Sequence, residues 1–401
     1  MRTKEEIVDE ILTRGVSEVI DRENLRKKLL SGEKLRIKFG TDPTSPSIHL
    51  GRAVPLLKLR DLQDLGHQIV FLIGDFTGVI GDTSDKESER PMLEQQAVEE
   101  NLKTYSQQAG KILDMSKVEV VRNSTWLGKL TYQEISEQAD IFSLHDFIAR
   151  ENIKKRLDAG TRISLRELLY PLMQGYDSVV LKADLELGGT DQRFNLLAGR
   201  ELQRHYKQEP QDIMTNNLIE GLDGRKMSSS WGNVIKIMDE PSDMFGKVMS
   251  MGDELIVKYY IHCTRVPMEV VKKVEDDMAK GTLNPRDAKL ELAKEIVKIY
   301  HSEELAEKAR EYFIKTISNK EIPEGVAEFE VKEGEVKILE LLVRSGNATS
   351  MSDARRKVEQ GGVSVDGEKI TDVNMLLDSA QNGKVFKIGK LGFVKIKFLK
   401  K

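Results

Sequence analysis

Two cations and three hydroxyls meet in the stretch Gly221-Leu222-Asp223-Gly224-Arg225-Lys226-Met227-Ser228-Ser229-Ser230. Lysine brings a point charge and serine hydroxyls bring hydrogen bonds, a chemistry that suits a polyphosphate. It is not a Walker A loop, because the chain contains no G-x-x-x-x-G-K-[ST], and it contains no G-x-G-x-x-G either. A second candidate runs Phe39-Gly40-Thr41-Asp42-Pro43-Thr44-Ser45-Pro46-Ser47-Ile48-His49-Leu50-Gly51-Arg52. Its glycines permit close backbone approach to a ligand. Ser47 can cap a helix beginning nearby, and a helix N-terminus favours anions. His49 and Arg52 are three apart, so both can point at one anion. Tyr170, Gln174 and Asp177 stand at i, i+4 and i+7, on one helix face. Taken singly, each stretch also reads as a polar turn or an ordinary helix face.

The elements around these residues alternate. Residues 1–34 read as helices, with Ile7, Ile11 and Leu12, then Leu25, Leu29 and Leu30, at helical spacing. Leu35 to Phe39 reads as a strand, followed by the Gly/Pro/Ser loop, a helical run over Leu56–Leu65 and a buried-type strand over Gln68–Ile73. Pro55 implies that this helix starts late or kinks. Strand, loop, helix and strand in under 40 residues make a βαβ unit and a parallel sheet, whose ligands bind at the carboxyl ends of strands. Loops 40–47 and 74–85 fall there. Further strands are expected at 117–121, 179–181 and 185–187. Ser164-Leu165-Arg166-Glu167 is a capping box that opens a helix. From Asp239 to Ile317 the pattern is helical, and 319–334 reads as an acidic, irregular linker. The last 66 residues read as two short helices followed by strands at 363–365, 384–388 and 393–398.

Composition bounds the rest. The chain has 401 residues, 39% hydrophobic and 32% charged, which suits two or three globular domains and not a disordered chain. The longest apolar runs are strand-length, far short of the roughly 20 residues a membrane helix needs. The acidic, amphipathic start lacks the features of a signal peptide, and the single cysteine, Cys263, excludes a disulfide framework and a Cys-rich zinc site. Together these point to the cytoplasm. The net charge of −4 conceals a segregation: residues 336–401 hold 13 Lys+Arg against 7 Asp+Glu, while the whole chain holds 62 against 66. A basic tail on an acidic body suggests a polyanion partner.

His49-Leu50-Gly51-Arg52 resembles the HIGH motif of class I aminoacyl-tRNA synthetases, and Lys226 to Ser230 resembles their KMSKS motif. The order and separation, with an α/β pattern between, resemble the small tyrosyl and tryptophanyl enzymes. Tyr170-x-x-x-Gln174-x-x-Asp177 matches the tyrosine pocket of bacterial-type tyrosyl-tRNA synthetases. Residues 336–401 resemble their C-terminal S4 RNA-binding domain. The resemblance implies an α/β architecture: a Rossmann-like parallel-sheet catalytic domain over 1–232, a helical domain over 233–330 and a small α+β S4 domain over 336–401.

It also implies roles. Asp177 would accept the hydrogen bond of the substrate phenol, and Tyr170, Gln174 and Asp82 would hold its ammonium group. Gln192 would orient the tyrosyl group, and Asp42 would lie near its carboxylate. Gly40, Thr44, His49, Gly51, Asp191 and Lys226 to Ser230, Met227, Ser228 and Ser229 among them, would hold ATP, Asp191 through the ribose. His49, Arg52, Lys226, Lys86 and Arg90 would stabilise charge on the triphosphate, with Mg²⁺ shared by the phosphates and no tightly bound cofactor. Arg355, Arg356 and Lys357 would contact tRNA, and a homodimer is implied. The reaction implied is ATP-dependent activation of L-tyrosine, then transfer to tRNA(Tyr).

The chain departs from the family pattern at three positions. Arg52 replaces the second histidine of HIGH, Ser229 replaces the second lysine of KMSKS, and Lys38 stands where many bacterial relatives carry a phenol-contacting tyrosine. A tryptophanyl enzyme, a non-catalytic RNA-binding protein on the same scaffold and a nucleotidyltransferase with a His-x-Gly motif stay open as alternatives.

Overall fold

The computed structural model describes residues 2–43, 46–82, 95–318, 326–331, 334–389 and 392–399. The chain forms two compact units. One comprises residues 1–239 and 247–302, and the other comprises 240–246 and 303–401.

The first unit is built on a six-stranded sheet: β1 (Val16–Ile20), β2 (Arg36–Thr41), β3 (Gln68–Ile73), β4 (Val118–Arg122), β5 (Leu185–Gly189) and β6 (Asp212–Asn216). The order is β1-β6-β5-β2-β3-β4, with only β1 antiparallel. β3 is buried at all but its first residue, as a parallel strand covered on both faces requires. From β2 the chain steps outward to β3 on one side, and β5 returns on the other. The carboxyl end of β2 is therefore a topological switch point, where open parallel sheets bind ligands.

The strand expected at 179–181 is instead the last turn of the helix Leu165–Leu181, which ends at Lys182 in the left-handed region. A short apolar run with valines has the same pattern in both settings. Residues 1–34 hold β1 between two helices. It is a half-exposed edge strand with a register shift between Val16 and Glu18, too short and irregular to alternate clearly. β6 is fully buried yet reads Asp-Ile-Met-Thr-Asn, without the apolar run that marks a central strand. The helix containing Pro55 starts at Leu50 with His49 at its N-cap and runs on to Asp64. Ser164 caps its helix, and Glu167 closes the capping box. The single cysteine is buried.

The second unit carries β7 (Glu328–Val331), β8 (Val336–Lys337), β9 (Val363–Val365), β10 (Glu368–Lys369), β11 (Leu376–Leu377), β12 (Val385–Ile388) and β13 (Gly392–Phe398). Five of them form a sheet in the order β10-β9-β12-β13-β7, and β11 pairs with β8. β7 lies in the stretch read as irregular. The helices Ile338–Arg344 and Met351–Glu359 pack on this unit's core through Leu341, Leu342, Ala354 and Val358, against Phe386 and Ile396. Among the described residues no helix is long and apolar enough to cross a membrane.

Candidate active site

A cavity of about 1010 Å³ opens at the carboxyl ends of the parallel strands in the first unit. Gly40, Thr41 and Asp42 enter it from β2, Gly74, Thr77 and Asp82 follow β3, and Gly188, Gly189, Asp191 and Gln192 close β5. The start of the Leu50–Asp64 helix adds His49, Gly51 and Arg52. The Leu165–Leu181 helix adds Tyr170, Gln174 and Asp177, and the 226–231 loop adds Lys226, Met227, Ser228, Ser229 and Trp231. The stretches singled out in the sequence thus line one space. Thr44, Lys86 and Arg90 lie outside the described residues, as does the side chain of Ser230.

Asp177 is 1% exposed. Trp126 Nε1 donates to its Oδ1 at 2.7 Å, and Asn123 Nδ2 donates to its Oδ2 at 3.2 Å. Burial pushes the carboxyl up to about 7, against the pull of Lys38, Trp126 and Asn123. The other carboxylates are also held. Asp42 accepts from Tyr170 Oη at 2.8 Å and from Thr77 Oγ1 at 2.8 Å. A side chain at Gly74 would collide with both Asp42 Oδ1 and Thr77 Oγ1, so the turn after β3 must be glycine to admit that pair. Gln192 Nε2 donates to Asp82 Oδ2 at 2.7 Å, and Asn195 fixes Gln192 in turn. Burial and the Asp42 carboxylate keep the Tyr170 phenol protonated.

The two cationic stretches touch. Gly51 N–H donates to Met227 Sδ at 3.3 Å. Leu50 N–H bonds Ile235 O at 2.9 Å, and Ile237 N–H bonds Ile48 O at 3.0 Å, so the strand-like segment after the 226–231 loop is sewn to the start of the helix. Asn233 shapes the loop itself: its Oδ1 accepts from Ser228 N at 2.9 Å, and its Nδ2 donates to Asp223 Oδ1 at 2.6 Å and Lys226 O at 3.2 Å. Lys226 Nζ lies 3.3 Å from Asp191 Oδ2. His49 is buried, and burial together with the charges of Arg52 and Lys226 lowers its pKa to about 3, so the ring is neutral at pH 7. Its Nδ1 has no hydrogen-bond partner among the described residues. Arg52 donates to Tyr105 Oη at 2.6 Å.

The helix Gln95–Ala109, which supplies Tyr105, also fastens the loop after β2. Asn101 Nδ2 bonds Pro43 O at 2.8 Å, Gln108 Nε2 bonds Pro46 O at 2.8 Å, and Gln108 Oε1 accepts from Ile48 N at 2.7 Å. Tyr105, Gln108, Asn123, Trp126 and Asn233 escape a reading of the sequence. Only Asn123 carries a signal, its place directly after the carboxyl end of β4.

A family model described as "tRNA synthetases class I (W and Y)" matches residues 30–318, and one described as "Tyrosine--tRNA ligase SYY-like C-terminal domain" matches 318–390. The chain is 47% identical to the tyrosine–tRNA ligase of Carboxydothermus hydrogenoformans over 401 residues, 98% of each chain. The chain belongs to the tyrosine–tRNA ligase family. It is also 46% identical to the tyrosine–tRNA ligase of Thermotoga maritima, again over 98% of each chain. Among solved structures, tyrosyl-tRNA synthetase from Archaeoglobus fulgidus, complexed with L-tyrosine, aligns at a TM-score of 0.61 and 25% identity, covering 77% of this chain and 100% of that one. A C-terminally truncated mitochondrial tyrosyl-tRNA synthetase from Aspergillus nidulans shares the fold at a TM-score of 0.63 and 21% identity, covering 76% of this chain and 92% of that one. The parallel sheet with its switch-point cavity is thus the class I synthetase fold.

In the second unit, Arg355, Arg356 and Lys357 lie on the helix Met351–Glu359. Arg356 pairs with Asp353 at 2.6 Å, Lys357 pairs with Asp353 at 3.0 Å, and Arg355 stands 3.8 Å from Glu359. Arg355 and Arg356 stay more than half exposed. Lys357 also donates to Asn347 O at 2.7 Å.

Proposed function

We propose that this chain is a tyrosine–tRNA ligase: it activates L-tyrosine with ATP, releases pyrophosphate and transfers the tyrosyl group to the 3′ end of tRNA(Tyr). The observation that carries the reading is Asp177, a buried carboxylate held by two donors in the wall of a cavity that Lys226 and His49 also line. A phenol hydroxyl donates to that carboxylate. Phenylalanine brings no donor and leaves that carboxylate buried without its substrate hydrogen bond, whereas tryptophan brings an indole N–H on a larger ring.

The substrate carboxylate is already ionised, so no protein nucleophile is needed. It attacks the α-phosphate in line, and the protein's task is positioning and charge stabilisation. His49 is neutral and serves as a hydrogen-bonding group, not as a cation. Lys226 rests on Asp191, which the resemblance assigns to the ATP ribose. Ribose hydroxyls donating to Asp191 release Lys226 toward the phosphates. Lys86, Arg90 and Thr44 belong to the same proposal as phosphate and nucleotide contacts. Mg²⁺ enters with ATP, shared by its phosphates.

The proposal includes tRNA on the 336–401 domain through Arg355, Arg356 and Lys357, a 1–232 catalytic and a 233–330 helical domain, and a cytoplasmic setting. It also includes a homodimer, supported by the exposed apolar side chains Tyr132, Leu144, Leu157 and Leu165. The test is amino-acid-dependent ATP–pyrophosphate exchange. Exchange with tyrosine supports the reading, exchange with tryptophan replaces it with the sister specificity, and no exchange with any amino acid leaves a non-catalytic RNA-binding protein.

A further inference from the structure

In the wall of the cavity, where Glu186 lines it, lies a buried ion pair with no part in the mechanism above. Lys38 of β2 and Glu186 of β5 are register partners on adjacent parallel strands. They are 0% and 1% exposed, and Lys38 Nζ lies 2.9 Å from Glu186 Oε1. Taking two charges out of water costs several kcal/mol each, and a buried pair is weak evidence of stabilisation. The surroundings suggest a different role.

The Lys38 ammonium spends its three donors on Glu186, on Gln174 O at 2.7 Å and on Ser178 Oγ at 2.8 Å. It therefore clamps the helix turn that carries Gln174 and Asp177 and has no donor left for a substrate phenol. Glu186 is just as occupied. Its Oε2 accepts from Ser178 Oγ at 3.0 Å and from Gln211 Nε2, and its Oε1 accepts from Gln174 Nε2 at 3.2 Å. An ionised carboxylate only accepts hydrogen bonds. The Gln174 amide must therefore turn its NH₂ to Glu186, which leaves Oε1 as the end available to the cavity that Gln174 lines. Tyr170 is committed in the same sense: its hydroxyl proton goes to Asp42, so its oxygen is left to accept.

We propose that the Lys38–Glu186 pair is a positioning device for amino-acid recognition, in which Glu186 fixes the Gln174 carboxamide with its oxygen presented to the substrate ammonium and Lys38 holds the helix turn and compensates Glu186. This rests on the reading of the cavity as a tyrosine site. Lys38 does not line the cavity, and Glu186, which does, has both carboxylate oxygens taken up by protein donors. Lys38 stands where many relatives carry a phenol-contacting tyrosine, and its charge still reaches the phenol acceptor Asp177, but the hydrogen bonds of the pair fix the group that faces the other end of the ligand, the ammonium.

The test separates those two ends. Tyramine keeps the phenol and the ammonium, and 3-(4-hydroxyphenyl)propionate keeps the phenol and the carboxylate. Glu186→Gln offers Gln174 both a donor and an acceptor, so the amide is free to flip. Because that change strands the Lys38 charge, the neutral double variant Lys38→Met/Glu186→Gln is measured alongside it. Binding of both ligands is followed by calorimetry on the full-length chain. The expected result in both variants is a loss of tyramine binding about tenfold greater than the loss of hydroxyphenylpropionate binding, the effect of one lost charge-assisted hydrogen bond at the ammonium, with the KM for ATP unchanged. Equal losses for the two ligands mean a general disturbance of the pocket and overturn the inference. So does wild-type tyramine affinity in the double variant. A wild-type protein that binds neither ligand removes the tyrosine reading and this inference with it.

Discussion

Asp177 is held by two hydrogen-bond donors before any substrate arrives. Its folded value of about 7 lies above the ordinary 3.8, with burial the largest cause. Between those values the folded chain binds the extra proton, so this group's contribution to stability falls as pH rises through that window. Recognition runs the other way, since the ionised carboxylate accepts the phenol's hydrogen bond far more strongly than the protonated one. The KM for tyrosine should therefore fall as pH rises through about 7 and level off above it, while Asp177→Asn should bind tyrosine poorly without that step. A pH-independent KM in the parent protein would contradict the assignment. Lys226 makes a different kind of contribution. Lys226→Ala should lower the rate of adenylate formation by about 10²–10³, the size of losing one transition-state donor, with the KM for tyrosine nearly unchanged. Equal effects on both would place Lys226 in ground-state binding. Asp177 itself is legible from its spacing to Tyr170 and Gln174. Its donors are not, because Asn123 and Trp126 lie far upstream in the chain with no periodic link to it.

At the scale of elements, the sequence discloses what is regular. The capping box at Ser164, the apolar run of β3 and the helix face of residues 170–177 all express a period or a cap. β1 and β6 are short and carry polar residues, so only pairing with a neighbour makes them strands. One further element-level device is hidden from sequence. Arg14 is buried and donates to the backbone oxygens of Tyr260, Ile261, Thr264 and Val266, at 2.8 to 2.9 Å, satisfying carbonyls at the end of the helix Ile256–Cys263. Lys58 does the same for Ile11 O and Arg14 O. Arg14→Ala should cost at least about 3 kcal/mol, since it strands several buried acceptors together, as read by urea denaturation. A loss below about 1 kcal/mol would mean that water satisfies those carbonyls.

For the whole molecule, charge is segregated: the last 66 residues are basic and the rest is acidic. The acidic body must draw in its anionic nucleotide through local cations, while the tail offers a general attraction for an RNA backbone. Deleting residues 336–401 should abolish tRNA charging and leave tyrosine-dependent pyrophosphate exchange largely intact. Loss of both activities would show that the tail also maintains the body. Charging by the full chain should weaken steeply with added salt, and exchange much less.

The way the chain is threaded restricts where such a cut can fall. Residues 240–246 leave the first unit, join the second and return at 247, and the chain crosses again at 302. Within the second unit the ring of Phe245 packs at a tilt against that of Phe313, with centroids 5.5 Å apart. A truncation at 302 would remove Phe313 while keeping Phe245, leaving a sticky apolar stub in the middle of the remaining polypeptide. A truncation at 335 keeps the two rings together. Proteolytic or engineered trimming that respects this double passage should give a well-behaved fragment, whereas trimming at 302 should give one prone to aggregate.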